Sequence, residues 1–194
     1  NVPVINALCD MYHPCQAVAD YLTISENYDD LSKVKLAYIG DGNNVTHSLM
    51  LMGVALGCEV VVITPEGHEV DDNIIKLTQA RAQQFGGKLT VSTDINAAIG
   101  SQVLYTDTWL SMGDETPLAD IKDTFSGYEI NEALMAKTGA KYVLHCQPAH
   151  RDLEISGSLI DSDASLLMQQ AENRMHGQNA ILVHLLARDF EPRN

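Results

Sequence analysis

The sequence has no long uncharged apolar run and few basic residues. Its 194 residues include 12 lysines and arginines against 26 aspartates and glutamates, giving a formal net charge of −14 at pH 7. Because there is no long uncharged apolar run, we expect that no segment spans a membrane. The small number of basic residues argues against a nucleic-acid partner, because phosphate backbones are bound by clustered cations. The start, Asn1-Val2-Pro3-Val4, also lacks the basic stretch of a signal peptide. We therefore expect a cytoplasmic protein.

The chain is also poor in cysteine and has no initiator methionine. Its four cysteines form neither a C-x-x-C pair nor a regular framework, which is typical of free thiols in a reducing compartment. We therefore expect no disulfide scaffold and no metal centre. Because residues 2–8 are already apolar, we expect the chain to be a piece of a longer protein. The cysteines are Cys9, Cys15, Cys58 and Cys146.

The apolar content of 45% is enough to bury one core, most simply as a single domain. Short apolar runs alternate with stretches of helical composition, and this order predicts an α/β fold with a parallel sheet and helices on both faces. Strands are predicted at residues 36–39, 60–63, 88–91, 103–105 and 141–144. Helices are predicted from Pro14 onward and at residues 45–56, 71–85, 94–99 and 172–188.

A loop rich in polar residues follows the apolar run at residues 103–105. It carries a carboxylate at Asp107, a hydroxyl at Ser111 and a glycine turn at Gly113. In open α/β sheets, ligands bind beyond the carboxyl ends of the strands, so this loop is predicted to contact a substrate. An ordinary strand-to-helix turn remains the alternative, because Asp, Ser and Gly are common turn formers.

His13 and Gln16 lie at a predicted helix N-terminus. Proline is favoured in the first turn of a helix, so Pro14 places His13 at or just before the helix and Gln16 inside its first turn. Both side chains can donate to a polarised oxygen there, helped by the helix dipole. Capping and packing are the structural alternative.

The turn between the first two predicted strands contains Gly40 and Gly42, which suggests a dinucleotide site. The third glycine of G-x-G-x-x-G is missing, because Val45 occupies its place. Asn43 and Asn44 instead offer amide groups to a polar ligand. The pattern therefore disfavours a nucleotide-binding domain, and a nucleotide-binding assay would discriminate it.

Cys146 follows the last predicted strand, and its role is open on sequence grounds. It could be a nucleophile, a hydrogen-bond partner or an inert core thiol. A nucleophile needs a neighbouring cation or helix N-terminus to lower its pKa. Neighbouring strand residues face opposite sides of a sheet, so His145 is not expected to pair directly with Cys146.

Together, five short motifs resemble ornithine carbamoyltransferase, within the aspartate/ornithine carbamoyltransferase family. They occur in the family's order and span nearly the whole chain, and Ser-Met-Gly separates ornithine users from relatives acting on aspartate, putrescine or acetylated ornithine. The resemblance is to the ornithine-binding half, with its Rossmann-like fold. The motifs are His13-Pro14-Cys15-Gln16, Gly40-Asp41-Gly42-Asn43-Asn44, the loop from Asp107 to Gly113, His145-Cys146-Gln147-Pro148 and Glu172-Asn173-Arg174-Met175-His176.

The resemblance implies carbamoyl transfer from carbamoyl phosphate to the side-chain amine of L-ornithine, giving L-citrulline and phosphate, without a metal or cofactor. The implied catalytic residues are Asp107, Cys146 and His13. The implied ornithine contacts are Asn44, Asp107, Ser111, Met112, Cys146 and the backbone of Gln147. The implied carbamoyl-phosphate contacts are His13 and Gln16, on the carbonyl side, and Arg174. The family further implies a homotrimer or a multiple of it, in arginine biosynthesis or ornithine metabolism such as the urea cycle.

Two departures from the family pattern bear on function. Gln147 stands where the family usually has Leu, and since that position contributes a backbone carbonyl, ligand contact can survive the change. The family's Ser-x-Arg-Thr phosphate loop does not occur in this sequence. We therefore expect residues 1–194 to form the ornithine-binding domain, acting together with a carbamoyl-phosphate domain that the chain lacks.

Two other hypotheses remain open at this point. The chain could serve a carbamoyltransferase for another amine, such as putrescine or acetylated ornithine. It could also be a binding or assembly module without turnover of its own. An upstream coding segment with the phosphate loop would favour the enzyme over the module.

Overall fold

The computed structural model describes residues 2–109 and 116–186. Its centre is a five-stranded sheet in the order β3-β2-β1-β4-β5, with every neighbouring pair parallel. The predicted strands are confirmed, each within one residue at either end. They are β1 (Lys35–Ile39), β2 (Glu59–Ile63), β3 (Lys88–Ser92), β4 (Val103–Thr106) and β5 (Tyr142–His145).

Seven α-helices and two 3-10 helices occur in the described residues. The helices are α1 (Pro14–Ser25), α2 (Asn44–Ala55), α3 (Asp72–Phe85), α4 (Leu118–Thr124), α5 (Glu132–Thr138), α6 (Gly157–Ile160) and α7 (Leu167–Leu186), with 3-10 turns at Leu31–Lys33 and Ile95–Ala98. None of the helices in this part of the chain is long and apolar enough to cross a bilayer.

The closing helix differs from the prediction. It begins at Leu167, five residues before the predicted start, and is described up to Leu186. The cause is that its first turns bury the polar side chains of Gln170 and Asn173 as well as Leu167, so the buried face is not marked by apolar residues alone. The predicted helix at residues 94–99 is a 3-10 turn, and α6 and the turn at Leu31–Lys33 were not predicted.

Helices cover both faces of the sheet, as the alternation of strand residues requires. In β1, Leu36 and Tyr38 belong to one core cluster, and Ala37 and Ile39 belong to another. The first cluster includes residues of α1, α2 and α3, and the second includes residues of α5 and α6. The α/β fold with helices on both faces is therefore confirmed.

Helix α7 packs against α1 through polar contacts and one close approach. Asn173 Nδ2 donates to Thr23 Oγ1 over 3.0 Å in a buried position. At Gly177 a Cβ atom would lie 3.0 Å from Val18 Cγ1, so glycine allows the two helices to come together. This pairing brings Arg174 of α7 beside Gln16 at the start of α1.

Candidate functional site

The carboxyl ends of β4 and β5 place Asp107 next to Cys146. Thr106 pairs with His145 in the strand register, so the residues that follow leave the sheet side by side. The Asp107 side chain is buried and accepts three hydrogen bonds. Oδ1 accepts from Cys146 Sγ and from the backbone N–H of Thr108, each over 2.7 Å. Oδ2 accepts from Asn43 Nδ2 over 3.0 Å.

Asn43, and not Asn44, is the asparagine that contacts Asp107. Asn43 is the N-cap of α2, and its Oδ1 accepts from the backbone N–H groups of Val45 and Thr46. With the oxygen held this way, its amide nitrogen is turned toward Asp107. Asn44 Nδ2 instead donates to the carbonyl of Cys9 over 2.8 Å. The predicted contact of Asn44 with ornithine stays a prediction.

The environment of Cys146 keeps its sulfur protonated. Burial, followed by the charge of Asp107, raises the pKa of the Cys146 thiol well above its usual value. A thiol is a poor nucleophile, because the thiolate is the reactive species. Cys146 therefore acts in this structure as a hydrogen-bond donor, which is one of the three roles left open by the sequence.

His145 bonds to Glu154 and to the backbone of Gln147 instead of to Cys146, and it stabilises the turn that follows β5. Its Nδ1 accepts from the backbone N–H of Gln147 over 2.9 Å, so Nε2 carries the proton and donates to Glu154 over 3.1 Å. Gln147 itself is exposed and has a left-handed backbone with φ of 58°. Its side chain is therefore free to differ from Leu, while its backbone position is fixed by His145.

The only described group of side chains close enough to share a metal ion is Asp107, His145 and Cys146, whose ligand atoms lie within 4.8 Å of one another. Both ring nitrogens of His145 are already hydrogen-bonded. Cys146 would have to lose the proton that it donates to Asp107. This chemistry favours a hydrogen-bonded cluster over a metal centre.

His13 occupies the N-cap position of α1, beside the positive charge of Arg174, and its side chain makes no capping hydrogen bond. Its backbone N–H donates to Ser48 Oγ over 2.7 Å, and its Nδ1 is buried without a partner among the described residues. Burial lowers the pKa of His13, and the charge of Arg174 lowers it further. The imidazole is therefore neutral at pH 7, although a hydrogen bond with the Ala7 backbone acts in the opposite direction.

Gln16 is oriented by its neighbours in a way that the sequence did not predict. Its Nε2 donates to Asp20 Oδ1 over 2.7 Å, and its Oε1 accepts from Arg174 Nη1. The amide oxygen, and not the nitrogen, thus faces Arg174. The Nε atom of Arg174 is also buried without a partner in the part of the chain that is described. Gln16 and Arg174 are therefore in contact, and their contacts with carbamoyl phosphate stay predictions.

The glycine turn after β1 packs against protein backbone. A Cβ atom at Gly42 would lie 2.5 Å from the backbone of Glu69 and Val70, and the Gly42 N–H donates to the carbonyl of His68 over 2.9 Å. The close approach that glycine permits is thus used within the chain. This contact further disfavours the nucleotide-binding hypothesis.

The predicted residues Ser111, Met112 and Gly113 lie outside the described residues. Their roles stay predictions. The structure describes the loop up to Trp109, whose ring stacks on Phe125 with centroids 4.8 Å apart and planes at 16°. This stack fixes the point where the loop leaves the Asp107 cluster.

Sequence reasoning missed two polar residues that support the site, Asp20 and Gln170. Both are fully buried and are hydrogen-bonded to each other. Asp20 also bonds to Gln16, and Gln170 bonds to the backbone of His145, next to Cys146. Asp20 follows Gln16 by four residues on one helix, so the two side chains share a face. That spacing is the signal that could have identified Asp20. Gln170 had no comparable local signal.

Two family models match the chain. Residues 32–185 match the model described as aspartate/ornithine carbamoyltransferase, Asp/Orn binding domain. Residues 1–26, which include His13 and Gln16, match the model described as aspartate/ornithine carbamoyltransferase, carbamoyl-P binding domain.

Individual relatives give the same picture. An ornithine carbamoyltransferase from Vibrio sp. (strain 2693) is 58% identical over 186 residues, which are 96% of this chain and 62% of that protein. A Pyrococcus furiosus protein named ornithine carbamoyltransferase, anabolic, is 45% identical over 93% of this chain and 58% of its own length. The solved ornithine carbamoyltransferase from Pyrococcus furiosus superposes with a TM-score of 0.91 at 44% identity, covering 98% of this chain and 61% of that one. The chain thus spans less than two thirds of the proteins that it matches.

Proposed function

The chain belongs to the aspartate/ornithine carbamoyltransferase family, and we propose that it supplies the ornithine site of an ornithine carbamoyltransferase. The enzyme would transfer a carbamoyl group from carbamoyl phosphate to the side-chain amine of L-ornithine, giving L-citrulline and phosphate. The observation that carries the proposal is the hydrogen bond of 2.7 Å from Cys146 Sγ to Asp107 Oδ1. It joins a buried carboxylate and a protonated thiol at the carboxyl ends of two adjacent strands.

The Asp107 cluster suits the recognition of a cationic amino acid. A buried carboxylate favours an ammonium group strongly, because charges interact more strongly in a medium of low dielectric. Asp107 keeps acceptor capacity beyond its three protein donors, since an ionised carboxylate offers about four lone-pair sites. We propose that Asp107, together with Ser111 and Met112, binds the α-amino and carboxylate end of ornithine. Asn44 is proposed to assist them, as in the family.

The chemistry requires a neutral amine and a stabilised oxyanion. In the proposed reaction the amine nitrogen forms a bond to the carbonyl carbon of carbamoyl phosphate, and the bond from that carbon to the phosphate oxygen breaks. The proton lost by the amine leaves with phosphate. We propose that neutral His13 donates to the carbonyl oxygen as negative charge develops there. Arg174 would bind the phosphate, and Cys146 and the Gln147 carbonyl would orient the attacking amine.

The proposal includes a second domain. The relatives are longer than this chain, and residues 1–26 match a carbamoyl-phosphate-binding model, so we propose that such a domain completes the donor site. The boundary between the two parts stays a prediction. A homotrimeric assembly, a cytoplasmic location and a role in arginine biosynthesis are likewise proposed. The last of these is favoured by the name anabolic of one relative.

The test uses a completed enzyme, defined as this chain preceded by the part of the Vibrio relative that lies ahead of its matched region. Citrulline formation would be measured with ornithine, putrescine and N-acetylornithine at equal concentrations, with the unmodified Vibrio protein as the control. We expect a clear preference for ornithine. Equal turnover of putrescine would refute the ornithine assignment. A folded completed enzyme without turnover, beside an active control, would refute the enzymatic proposal.

A further inference from the structure

A carboxylate that the proposed chemistry does not use lies at the centre of a buried hydrogen-bond network. Asp20, on α1, is 0% exposed. Its Oδ1 accepts from Gln16 Nε2 over 2.7 Å and from Gln170 Nε2 over 2.6 Å. Its Oδ2 accepts from the hydroxyl of Tyr105 over 3.1 Å. Three elements, α1, α7 and β4, thus converge on one side chain.

The network fixes the orientation of the Gln16 amide from both ends. Asp20 offers acceptors to the amide nitrogen, and the guanidinium of Arg174 only donates, so it requires the amide oxygen. Only one of the two amide orientations satisfies both neighbours. Without Asp20, the Gln16 amide nitrogen would lose its buried partner. The flipped orientation of the Gln16 amide would then no longer be excluded by a neighbour that requires the nitrogen.

The same carboxylate is connected to the other side of the site through Gln170. The Oε1 atom of Gln170 accepts from the backbone N–H of His145 over 2.9 Å, while its Nε2 donates to Asp20. His145 directly precedes Cys146, the donor to Asp107. A continuous chain of hydrogen bonds therefore runs from Arg174 through Asp20 to the backbone beside Cys146.

We propose that Asp20 is a positioning residue that aligns the two halves of the site through Gln16 and Gln170. On one side it holds the Gln16 amide oxygen toward Arg174, and on the other it holds the backbone that carries Cys146. It does so through its acceptor atoms, and its charge is not required. This role rests on the proposed carbamoyl transfer.

Three substitutions in the completed enzyme separate positioning from packing. Asp20→Ala removes both acceptors. Asp20→Asn keeps one oxygen that can serve Gln16 and Gln170 together. Thr23→Val is the matched control, because Thr23 is equally buried on α1 and bonds to α7 through Asn173, away from Gln16. The kcat and the KM values for carbamoyl phosphate and ornithine would be measured for each variant, together with the urea midpoint.

We expect Asp20→Ala to raise the KM for carbamoyl phosphate about tenfold or more, because a buried donor loses its partner. Asp20→Asn should restore this KM to within about threefold of the parent, and Thr23→Val should lower the urea midpoint without changing either KM. An unchanged KM in Asp20→Ala would overturn the proposal. So would equal kinetic losses in Asp20→Ala and Asp20→Asn, or in Asp20→Ala and the control.

A fourth variant keeps the proposal testable if Asp20→Ala does not fold. Gln170→Met breaks the link between Asp20 and His145 but leaves Gln16 in place. We expect it to raise the KM for ornithine several-fold, roughly as one lost hydrogen bond would, with little effect on the KM for carbamoyl phosphate. A shift in the carbamoyl-phosphate KM as large as that for ornithine would contradict the assignment of Gln170 to one side.

A measurement without turnover distinguishes failure of this inference from failure of the proposed function. In the unmodified 194-residue chain, the side-chain amide protons of Gln16 should exchange slowly with water in NMR spectra, and the same is expected of Asp20→Asn. They should exchange quickly in Asp20→Ala. Slow exchange in all three would refute the role of Asp20, whatever the activity. Absence of citrulline with the expected exchange pattern would instead count against the proposed function.

Discussion

The thiol of Cys146 donates a hydrogen bond to Asp107 Oδ1 over 2.7 Å, across the ends of two neighbouring parallel strands. This relationship orders the part of the site that we propose binds ornithine. Because the Asp107 charge and burial both keep the thiol protonated, the pair is a donor and an acceptor with fixed positions. A covalent role would need the thiolate, which this arrangement opposes.

Replacing Cys146 by Ser should weaken ornithine use without abolishing turnover. A hydroxyl can still donate to Asp107, but its shorter bond shifts the geometry, and one altered hydrogen bond is worth about 1 kcal/mol. We expect the KM for ornithine to rise roughly fivefold in the completed enzyme, while Cys9→Ser, at an exposed cysteine, leaves it unchanged. Intact-mass spectrometry should find no carbamoylated enzyme. A kinetically competent adduct on Cys146 would overturn this prediction.

Replacing Asp107 by Asn should remove most of the rate. The new amide is neutral, and its nitrogen takes the place of one carboxylate oxygen. Either Cys146 or Asn43 therefore loses the acceptor to which it donates. Loss of one partner of a buried charge pair costs about 2 kcal/mol or more, so kcat/KM for ornithine should fall at least about thirtyfold. Asp71→Asn, an exposed helix cap with the same loss of charge, is the control. Comparable rates for the two variants would exclude a role for Asp107.

The strands and the first helix were predictable because local rules agree with the fold there. The apolar run at β2 consists of side chains whose only role is to pack in the core. Pro14 lies in the first turn of α1, where proline is favoured. The beginning of α7 was not predictable in this way. Gln170 and Asn173 are polar by type and buried by position, since their partners on α1 are distant in sequence. Tertiary hydrogen bonds thus replaced the amphipathic pattern on which the prediction relied.

The same distinction applies to the site. The sequence identified Asp107 and Cys146 as strand-end residues, but they are 39 positions apart, and only the β4–β5 pairing brings them into contact. Neighbouring asparagines were harder to separate. Asn43 reaches Asp107 because helix capping turns its amide, and composition alone does not tell a cap from the residue after it. Asp20, in contrast, was accessible from its spacing of four residues from Gln16.

Stability should depend on pH through Asp20. Burial raises the pKa of Asp20 from 3.8 to about 7. Between these two pH values Asp20 is ionised in the unfolded chain but keeps its proton in the folded chain. Folding therefore takes up a proton, and the free energy of unfolding falls as pH rises. From pH 5 to 7 this amounts to about 2 kcal/mol. Tyr105 and Cys146, which also face Asp20, have raised pKa values and stay neutral in this range.

The variant Asp20→Asn isolates this effect, because its side chain is neutral at every pH. Urea unfolding of the 194-residue chain at pH 5 and pH 8 would give the free energy of unfolding of the parent and the variant. We expect the free energy of unfolding of the variant, relative to that of the parent, to rise by roughly 3 kcal/mol from pH 5 to pH 8. A constant difference between them would show that Asp20 does not titrate in this window.

The 194-residue chain alone should fold but should not form citrulline. Its five parallel strands have helices on both faces, so the core is complete without another domain. Catalysis requires more donors for the phosphate group than Arg174 supplies, and loss of a single donor to a developing anion typically costs about a hundredfold. Exposed Leu182 and Leu186 on α7 should also promote self-association.

The measurement pairs cooperative urea unfolding with an assay of the purified chain on carbamoyl phosphate and ornithine. The carbamoyl-phosphate-binding part of the Vibrio relative would then be added as a separate protein. Turnover should appear only after this addition and should rise with its concentration, because the donor site is completed by association. The matched control is the added domain with the His13→Ala chain, which should restore little activity. Citrulline formation by the isolated chain at a rate near that of the completed enzyme would refute the two-domain division of the site.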